Sequence, residues 1–336
     1  MLILAIESSC DETSCAIIKD GIEVLSNSVS TQIEIHKQYG GVFPEVASRL
    51  HVENINIVIK DALVKANIQI EDVDAIAFTQ GPGLIGSLHV GVMAAKTIAW
   101  SLGKPLVPVH HIAGHIYANK LVGELKFPLL ALVISGGHTE LVSMTDEYQF
   151  EVIGKTQDDA VGEAFDKVAR LLGLGYPGGP VIDKLAQTGT VNYQLPKVKT
   201  ENPLDFSFSG LKSAVRQLTL REERNNRDLI VEDVAFAFQH AAVGELMSRV
   251  EYALEHSQIE YQSLVLAGGV AANSEVRKQI LNLNVKYPHL NILVPPLWAC
   301  MDQAAMIGIA GQIAFDKGVR GDCEISALSN KQLISY

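Results

Sequence analysis

The sequence predicts an α/β protein made of two related halves. Two observations carry this expectation. Runs rich in Ile, Val and Leu alternate with helical segments along the chain, the pattern that lays helices over a partly parallel sheet. A hairpin-like stretch also occurs twice, at residues 2–21 (LILAIESSCDETSCAIIKDG) and 129–147 (LLALVISGGHTELVSMTDE). Each is an apolar run, a small polar turn, a second β-rich run and a polar end, and so reads as strand, tight turn, strand. The recurrence points to a duplicated fold with one hairpin opening each half.

Strand-plus-helix units follow each hairpin. Residues 74–79, DAIAFT, form a buried strand that runs through QGPGLIGSL into an apolar helix ending near Leu102. Residues 263–267, SLVLA, form another, followed by GGVAAN and a helix from about Ser274. Residues 196–227 turn polar and basic and read as a mobile or helical insertion.

Length and composition bound the function. The 336 residues exceed one small core, so about two domains are expected. Apolar residues make up 48% and charged residues 19%, which suits a packed soluble protein. No apolar run approaches the ~18 residues that span a bilayer. The opening MLILAIESSCDET lacks a basic region and a cleavage site, so it reads as a first strand and a cytoplasmic location is expected. Cys10, Cys15, Cys300 and Cys323 form no C-x-x-C pair, which speaks against a zinc knuckle or redox motif and for free thiols. The net charge of −11 disfavours broad nucleic-acid binding, which would need a local basic patch or a basic partner.

Gly81, Gly83 and Gly86 spell G-x-G-x-x-G between a strand and a helix. The dinucleotide reading needs an acidic residue roughly 20 positions later, where GKPLVPVHH has none. A P-loop needs a phosphate-gripping Lys where Ser87 stands. The other glycine turns, ISGGHTE, YPGGPVID and AGGVAAN, fit together better. A single Gly-Gly pair is usually only a turn. Three of them in a duplicated α/β chain suit a nucleotide, because backbone without Cβ can approach phosphate oxygens closely. A helix over residues 158–175 places Val161, Phe165, Val168 and Leu172 in one buried stripe. Asp166 lies off that stripe with Arg170 one turn on, and by pattern alone it reads first as half of a solvated ion pair. Asp183, after the Gly-Gly-Pro turn, has the same plain reading.

The stretch PLVPVHHIAGHIYANKL places His111 and His115 four residues apart, on one face of a helix starting after Pro108 and interrupted by Gly114. Zinc proteases use H-E-x-x-H with the Glu as base, but Ile112 follows His111 here. A metal therefore needs a carboxylate from elsewhere, and Asp302 in CMDQAAMIG, at the mouth of an apolar helix, is the best placed. Two His and one carboxylate with open positions suit iron, zinc or manganese.

Taken together, these blocks resemble one family. ESSCDET, GGVFPEVASR, GPGLIGSL, HHIAGHI, VISGGHTEL, DDAVGEAFDKVARLLGL, YPGGP, DFSFSGLK and AGGVAAN occur in the order of the TsaD family of tRNA threonylcarbamoyladenosine transferases, over essentially the whole chain and most like its bacterial form. The resemblance implies the actin/sugar-kinase/Hsp70 fold, with two ribonuclease-H-like lobes around a nucleotide cleft. One lobe would take residues 1–108, completed by 305–336. The other would take 109–304, with a helical insertion near 196–230. It implies transfer of threonylcarbamoyl from threonylcarbamoyl-AMP to N6 of adenosine 37, in tRNAs reading codons that begin with A.

By the same resemblance, His111, His115 and Asp302 hold one divalent ion, foremost Fe2+, with zinc or magnesium as alternatives. The backbone of Ile134, Ser135, Gly136, Gly137 and His138 lies along the adenylate or ATP. Asp166, Gly179, Asp183 and Asn273 surround ribose and base. Asp11 and Glu12 face the reacting centre from the first hairpin turn. The implied partners are tRNA, the degenerate sister protein TsaB and the small ATPase TsaE, with no membrane or DNA. Met301 and Gln303 depart from the Thr and Asn usual beside the metal carboxylate, which puts metal tuning in question. Lys155 stands where an acid is common. A metallopeptidase, a small-molecule kinase of the same fold and a nucleotide-dependent scaffold are the competing readings.

Overall fold

A computed structural model describes residues 1–335. The chain forms two compact units. The first takes in Met1–Glu124, Glu147–Phe150 and the segment from Pro295 onward, and the second takes in Leu125–Asp146 and Glu151–Val294. His111 and His115 belong to the first unit, as does Asp302.

The first unit opens with β1 (Leu2–Glu7), β2 (Glu12–Lys19) and β3 (Glu23–Thr31). Helices α1 (Ile33–His36) and α2 (Pro44–Ala66) follow, the latter starting on a proline whose missing N–H costs nothing in a first turn. Then come β4 (Ala75–Gly81), α3 (Ile85–Leu102), β5 (Leu106–His110) and α4 (His111–Tyr117). The second unit contains β6 (Leu129–Ile134), β7 (Thr139–Met144) and β8, which begins at the unit boundary (Phe150–Lys155). It continues with α5 (Val161–Leu171), α6 (Gly178–Ala186), α7 (Ser209–Arg224), α8 (Val231–His256), β9 (Ser263–Ala267), α9 (Ser274–Lys286) and β10 (Asn291–Leu293). The chain then returns to the first unit through α10 (Leu297–Cys300) and α11 (Ala304–Asp316).

Each half builds a five-stranded sheet, in the orders β3-β2-β1-β4-β5 and β10-β9-β6-β7-β8. Read by position within each half, the two orders are the same. The hairpins pair antiparallel, Glu7 opposite Ser14 and Ile134 opposite Thr139, while β4 and β9 add in parallel to β1 and β6. Parallel strands are covered on both faces and need no polar alternation. Accordingly β1, β4 and β5 are buried almost throughout. In the first unit α2 and α3 pack with the sheet around Leu4, Ile6, Ile17, Phe78, Leu88 and Val92. Helix α11 also packs against β1, β2, β4 and β5.

Three local expectations are corrected. The helix does not start directly after Pro108: β5 runs on through it to His110, because it is the last strand of its sheet and an edge tolerates a missing donor. Gly114 does not interrupt α4; a Cβ there would lie 2.8 Å from Ile307 Cδ1, so its absence lets α11 pack closely. Helix α5 begins at Val161 rather than Asp158, because the Asp158 carboxylate serves another helix. It accepts from the N–H groups of Phe208 (2.8 Å) and Ser209 (3.3 Å) and from the hydroxyls of Ser207 and Ser209, closing the start of α7.

The Gly81–Gly83 loop has a packing explanation. Ideal Cβ atoms would lie 1.9 Å from Leu328 O at Gly81 and 2.5 Å from Ser9 O at Gly83. The C-terminal strap presses on this loop: Leu328 N–H donates to Gln80 O (2.9 Å), Gly83 N–H to Ser329 O (3.2 Å), and Lys331 O pairs with His110 Nε2 (2.9 Å). Gly83→Ala is therefore expected to lower unfolding free energy by about 1–3 kcal/mol, as overpacking does. Gly81→Ala is expected to do the same and to speed proteolysis of residues 320–335. Denaturant titration and limited proteolysis measure the two effects.

Candidate functional site

The first site is built around α4. His110 caps the helix, its Nδ1 accepting from Ile112 N–H (3.2 Å), so that the helix starts at His111, the first of the pair. His111 and His115 then project from one face with Nε2 atoms 3.2 Å apart. Asp302, two residues before α11, places Oδ1 3.1 Å from His115 Nε2 and 3.5 Å from His111 Nε2. These three residues form the cluster that could hold a metal ion. Gln303 fixes the approach to α11 through the Asn27 amide, and Ala304 N–H donates to Ser14 Oγ (3.0 Å). The Gln303 side chain is thus spent on anchoring this segment to β3, and the backbone of Ala304 ties it to β2.

The donor set fits a transition-metal dication. Two nitrogens each about 2.1 Å from one ion, at ~90–110°, lie about 3.0–3.4 Å apart, and the observed separation falls in that range. Two imidazoles and one carboxylate suit iron, while magnesium prefers oxygen donors. The opposite nitrogen of His111 is also held, as metal-bound histidines usually are. Its Nδ1 lies 3.2 Å from Glu7 Oε2 and 3.2 Å from Ser9 Oγ. Among the described residues, His115 Nδ1 is buried without a hydrogen-bond partner.

Electrostatics reinforce this picture. Burial works against charge on His111, yet Asp302 and Glu7 outweigh it and hold its pKa up at about 9. Burial, together with His111, pushes His115 down despite Asp302. Burial would raise Glu7, but His111 wins and the carboxyl sits below its ordinary value. Burial, then the charges of Asp11 and Asp302, push Glu12 well above the carboxylate range. A metal entering this cluster displaces protons and offsets the gathered negative charge.

Asp11 and Glu12 sit at the β1–β2 turn, 8% and 5% exposed. Behind the turn, His51 of α2 donates from Nε2 to Cys10 O (2.9 Å), so its Nδ1 accepts from Thr13 Oγ1 (2.7 Å). The structure thus gathers Asp11, Glu12, His111, His115 and Asp302 on the first unit.

The remaining candidates gather on the second unit. Ile134 ends β6, and residues 135–138 form the turn: Ser135 N–H donates to His138 O (2.8 Å), and Ser135 Oγ accepts from Gly137 and His138 N–H. Nothing lies within 4 Å of the Cβ positions of Gly136 and Gly137. Gly162, at the start of α5, abuts Ser135 O, and Gly268 abuts Ile134 O. Asp166 accepts Gly178 N–H (2.7 Å), fixing α5 to the start of α6, where Gly179 is open on its Cβ side. Asp183 lies one turn further along α6. Asn273 caps α9, its side chain accepting from Glu275 and Val276 N–H.

Sequence reasoning missed Glu7, Ser9 and His51 as supports of the first site, and Gln239, which joins Asp183 to Asn273 in the second. A signal existed for two of them: a carboxylate closing the apolar run LILAIE, and an amide inside the apolar helix AFAFQHAAV.

Replacing either histidine by alanine is expected to abolish stoichiometric metal content, measured by elemental analysis. Glu7→Gln is expected to keep the ion but weaken its affinity 10–100-fold, measured by chelator competition.

Comparison with known proteins completes the picture. The family model described as "TsaD: tRNA N6-adenosine threonylcarbamoyltransferase" matches residues 23–309. The protein of that name from Bacillus licheniformis is 50% identical over 337 residues, covering 100% of this chain and 98% of its own. Its Staphylococcus carnosus namesake is 52% identical over 336 residues, covering 100% and 97%. Among solved structures, full-length HypF in its phosphate- and nucleotide-bound form has a TM-score of 0.62 at 14% identity, over 96% of this chain and 47% of that one. Component A of the (R)-2-hydroxyglutaryl-CoA dehydratase from Acidaminococcus fermentans has a TM-score of 0.52 at 14% identity, over 94% and 99%. These neighbours share the actin/sugar-kinase/Hsp70-like architecture of the chain. Sequence and fold agree that the chain belongs to the TsaD family of tRNA N6-adenosine threonylcarbamoyltransferases.

Proposed function

We propose that this transferase takes its threonylcarbamoyl group from threonylcarbamoyl-AMP and delivers it to N6 of adenosine 37 in tRNAs reading codons that begin with A. We further propose that the reaction depends on a divalent metal, Fe2+, held by His111, His115 and Asp302. The observation that carries this reading is the convergence of His111 Nε2, His115 Nε2 and Asp302 Oδ1 in a chain half identical to curated transferases.

Each unit has a part. On the second, the backbone of Ile134–His138 lies along the adenylate, where glycines without Cβ let it approach closely. Asp166, Gly179, Asp183 and Asn273 hold the nucleoside. On the first, His111, His115 and Asp302 would hold an ion that supplies Lewis-acid chemistry when bound. The N6 amine attacks the carbamoyl carbon, the C–O bond of the mixed anhydride breaks, and AMP leaves with the electron pair. The amine is a weak nucleophile, so its orientation carries much of the acceleration. Asp11 or Glu12, buried at the β1–β2 turn, takes the proton that N6 loses. tRNA is the acceptor, TsaB and TsaE are the working partners, and the cytoplasm is the site of action. Among the described residues no helix is long and apolar enough to cross a membrane.

The test supplies preformed threonylcarbamoyl-AMP labelled in threonine, tRNA, metal-loaded protein and both partners. Label is expected in tRNA with the native chain and not with His111→Ala; equal transfer by both overturns the metal role. Asp11→Ala or Glu12→Ala is expected to lower transfer by about 10²-fold or more with adenylate affinity kept. Unchanged turnover in both removes the proton-acceptor assignment.

A further inference from the structure

Gln239 is a polar side chain, 5% exposed, in the middle of α8. Its amide has only one orientation. Asn273 Oδ1 is committed to Glu275 N–H (3.1 Å) and Val276 N–H (3.0 Å), so Asn273 Nδ2 must donate to Gln239 Oε1 (2.9 Å). That leaves Gln239 Nε2 to donate to Asp183 Oδ1 (3.0 Å). A polarised line thus runs from the start of α9, through two amides, to one carboxylate.

The far end of that line is left partly open. A carboxylate accepts about four hydrogen bonds. Asp183 Oδ1 takes two, from Gln239 and from Ser274 Oγ (2.7 Å). Oδ2 takes one, from Ser274 N–H (3.0 Å). The remaining acceptor site on Oδ2 is fixed in direction by the other three contacts. A tie needed only to join α6, α8 and α9 would be complete without it.

We infer that Gln239 is a positioning residue that aims Asp183 at a sugar hydroxyl and thereby sets the preference of this site for ribonucleotides. The inference rests on Asp183 being a nucleoside contact. An acceptor-only group held at a fixed angle rewards a hydroxyl and loses a charge-assisted hydrogen bond when the hydroxyl is missing. Free rotation of the carboxylate would blunt that difference.

Equilibrium binding of ATP, 2′-deoxy-ATP and 3′-deoxy-ATP to the full chain tests this, with thermal melting alongside. The native chain is expected to prefer ATP over at least one deoxy analogue by roughly 10-fold or more. Gln239→Met is expected to shrink that preference to about 3-fold or less, chiefly by weakening ATP. Gln239→Glu alone sets carboxylate against carboxylate, and Asp183→Asn alone sets donor against donor at Ser274. The double variant Asp183→Asn/Gln239→Glu reverses the hydrogen bond while restoring its geometry. It is expected to recover preference relative to either single change, which a purely structural tie would not do. Should Gln239→Met fail to fold, this pair decides the matter. Native-like preference in Gln239→Met, or a double variant no better than Asp183→Asn, overturns the inference while Asp183 stands as a contact. A native chain or Asp183→Asn showing no change of preference overturns the reading of Asp183 itself.

Discussion

The site on the first unit depends on one buried carboxylate. Glu7 ends β1 with no exposed surface. It survives there as a charge because its oxygens are occupied by Thr79 Oγ1 (2.6 Å) from β4, by Ser9 N–H and by His111 Nδ1. One side chain thus binds the end of its own strand, its parallel neighbour, the turn bearing Asp11 and Glu12, and the helix bearing the histidine pair. Left without partners, such a group would change its protonation state or strongly destabilise the fold. The same contacts that make Glu7 tolerable orient His111.

Much of the fold was legible because hydrophobic runs bounded by small polar turns have few alternatives. β1, β2, β6 and β7 follow from two such runs, and β4 and β9 from apolar pentads and hexads. The third strand of each half was not legible. β3, EVLSNSVST, is an edge strand with Ser at alternate places, and β8, FEVIGK, is short and half exposed. Edge strands bury little, so their sequences carry little periodicity. The bounds of α5 failed for a different reason. Asp158 and Asp159 look like good first-turn residues, but one of them is claimed by a helix some fifty residues on. Local propensity has no view of that competition.

The candidate site was legible in its candidate metal-binding residues and less so in what holds them. His111 and His115 announce themselves by helical spacing. Asp302 is far from them in sequence; its place at the mouth of an apolar helix made it a candidate among many, and the family resemblance singled it out. Glu7, His51 and Gln239 act through other residues, and a single polar letter in an apolar segment does not say which partner it serves. The metallopeptidase reading ends on physical grounds as well as on family membership. Ile112, where a zinc protease keeps its base, is 1% exposed and part of the core.

The route of the chain also orders events in time. Asp302 follows the return from the second unit, so the histidines and their carboxylate are separated by nearly all of that unit. A chain emerging from the ribosome therefore presents Glu7 and both histidines long before Asp302 exists. Closing so long a loop carries an entropic penalty that local contacts cannot offset early. The first unit stays an open sheet lacking α11 until the second has been made. Assembly of the cluster of His111, His115 and Asp302 therefore waits on synthesis of the second unit, and a chain stopped before it holds the two histidines without that carboxylate.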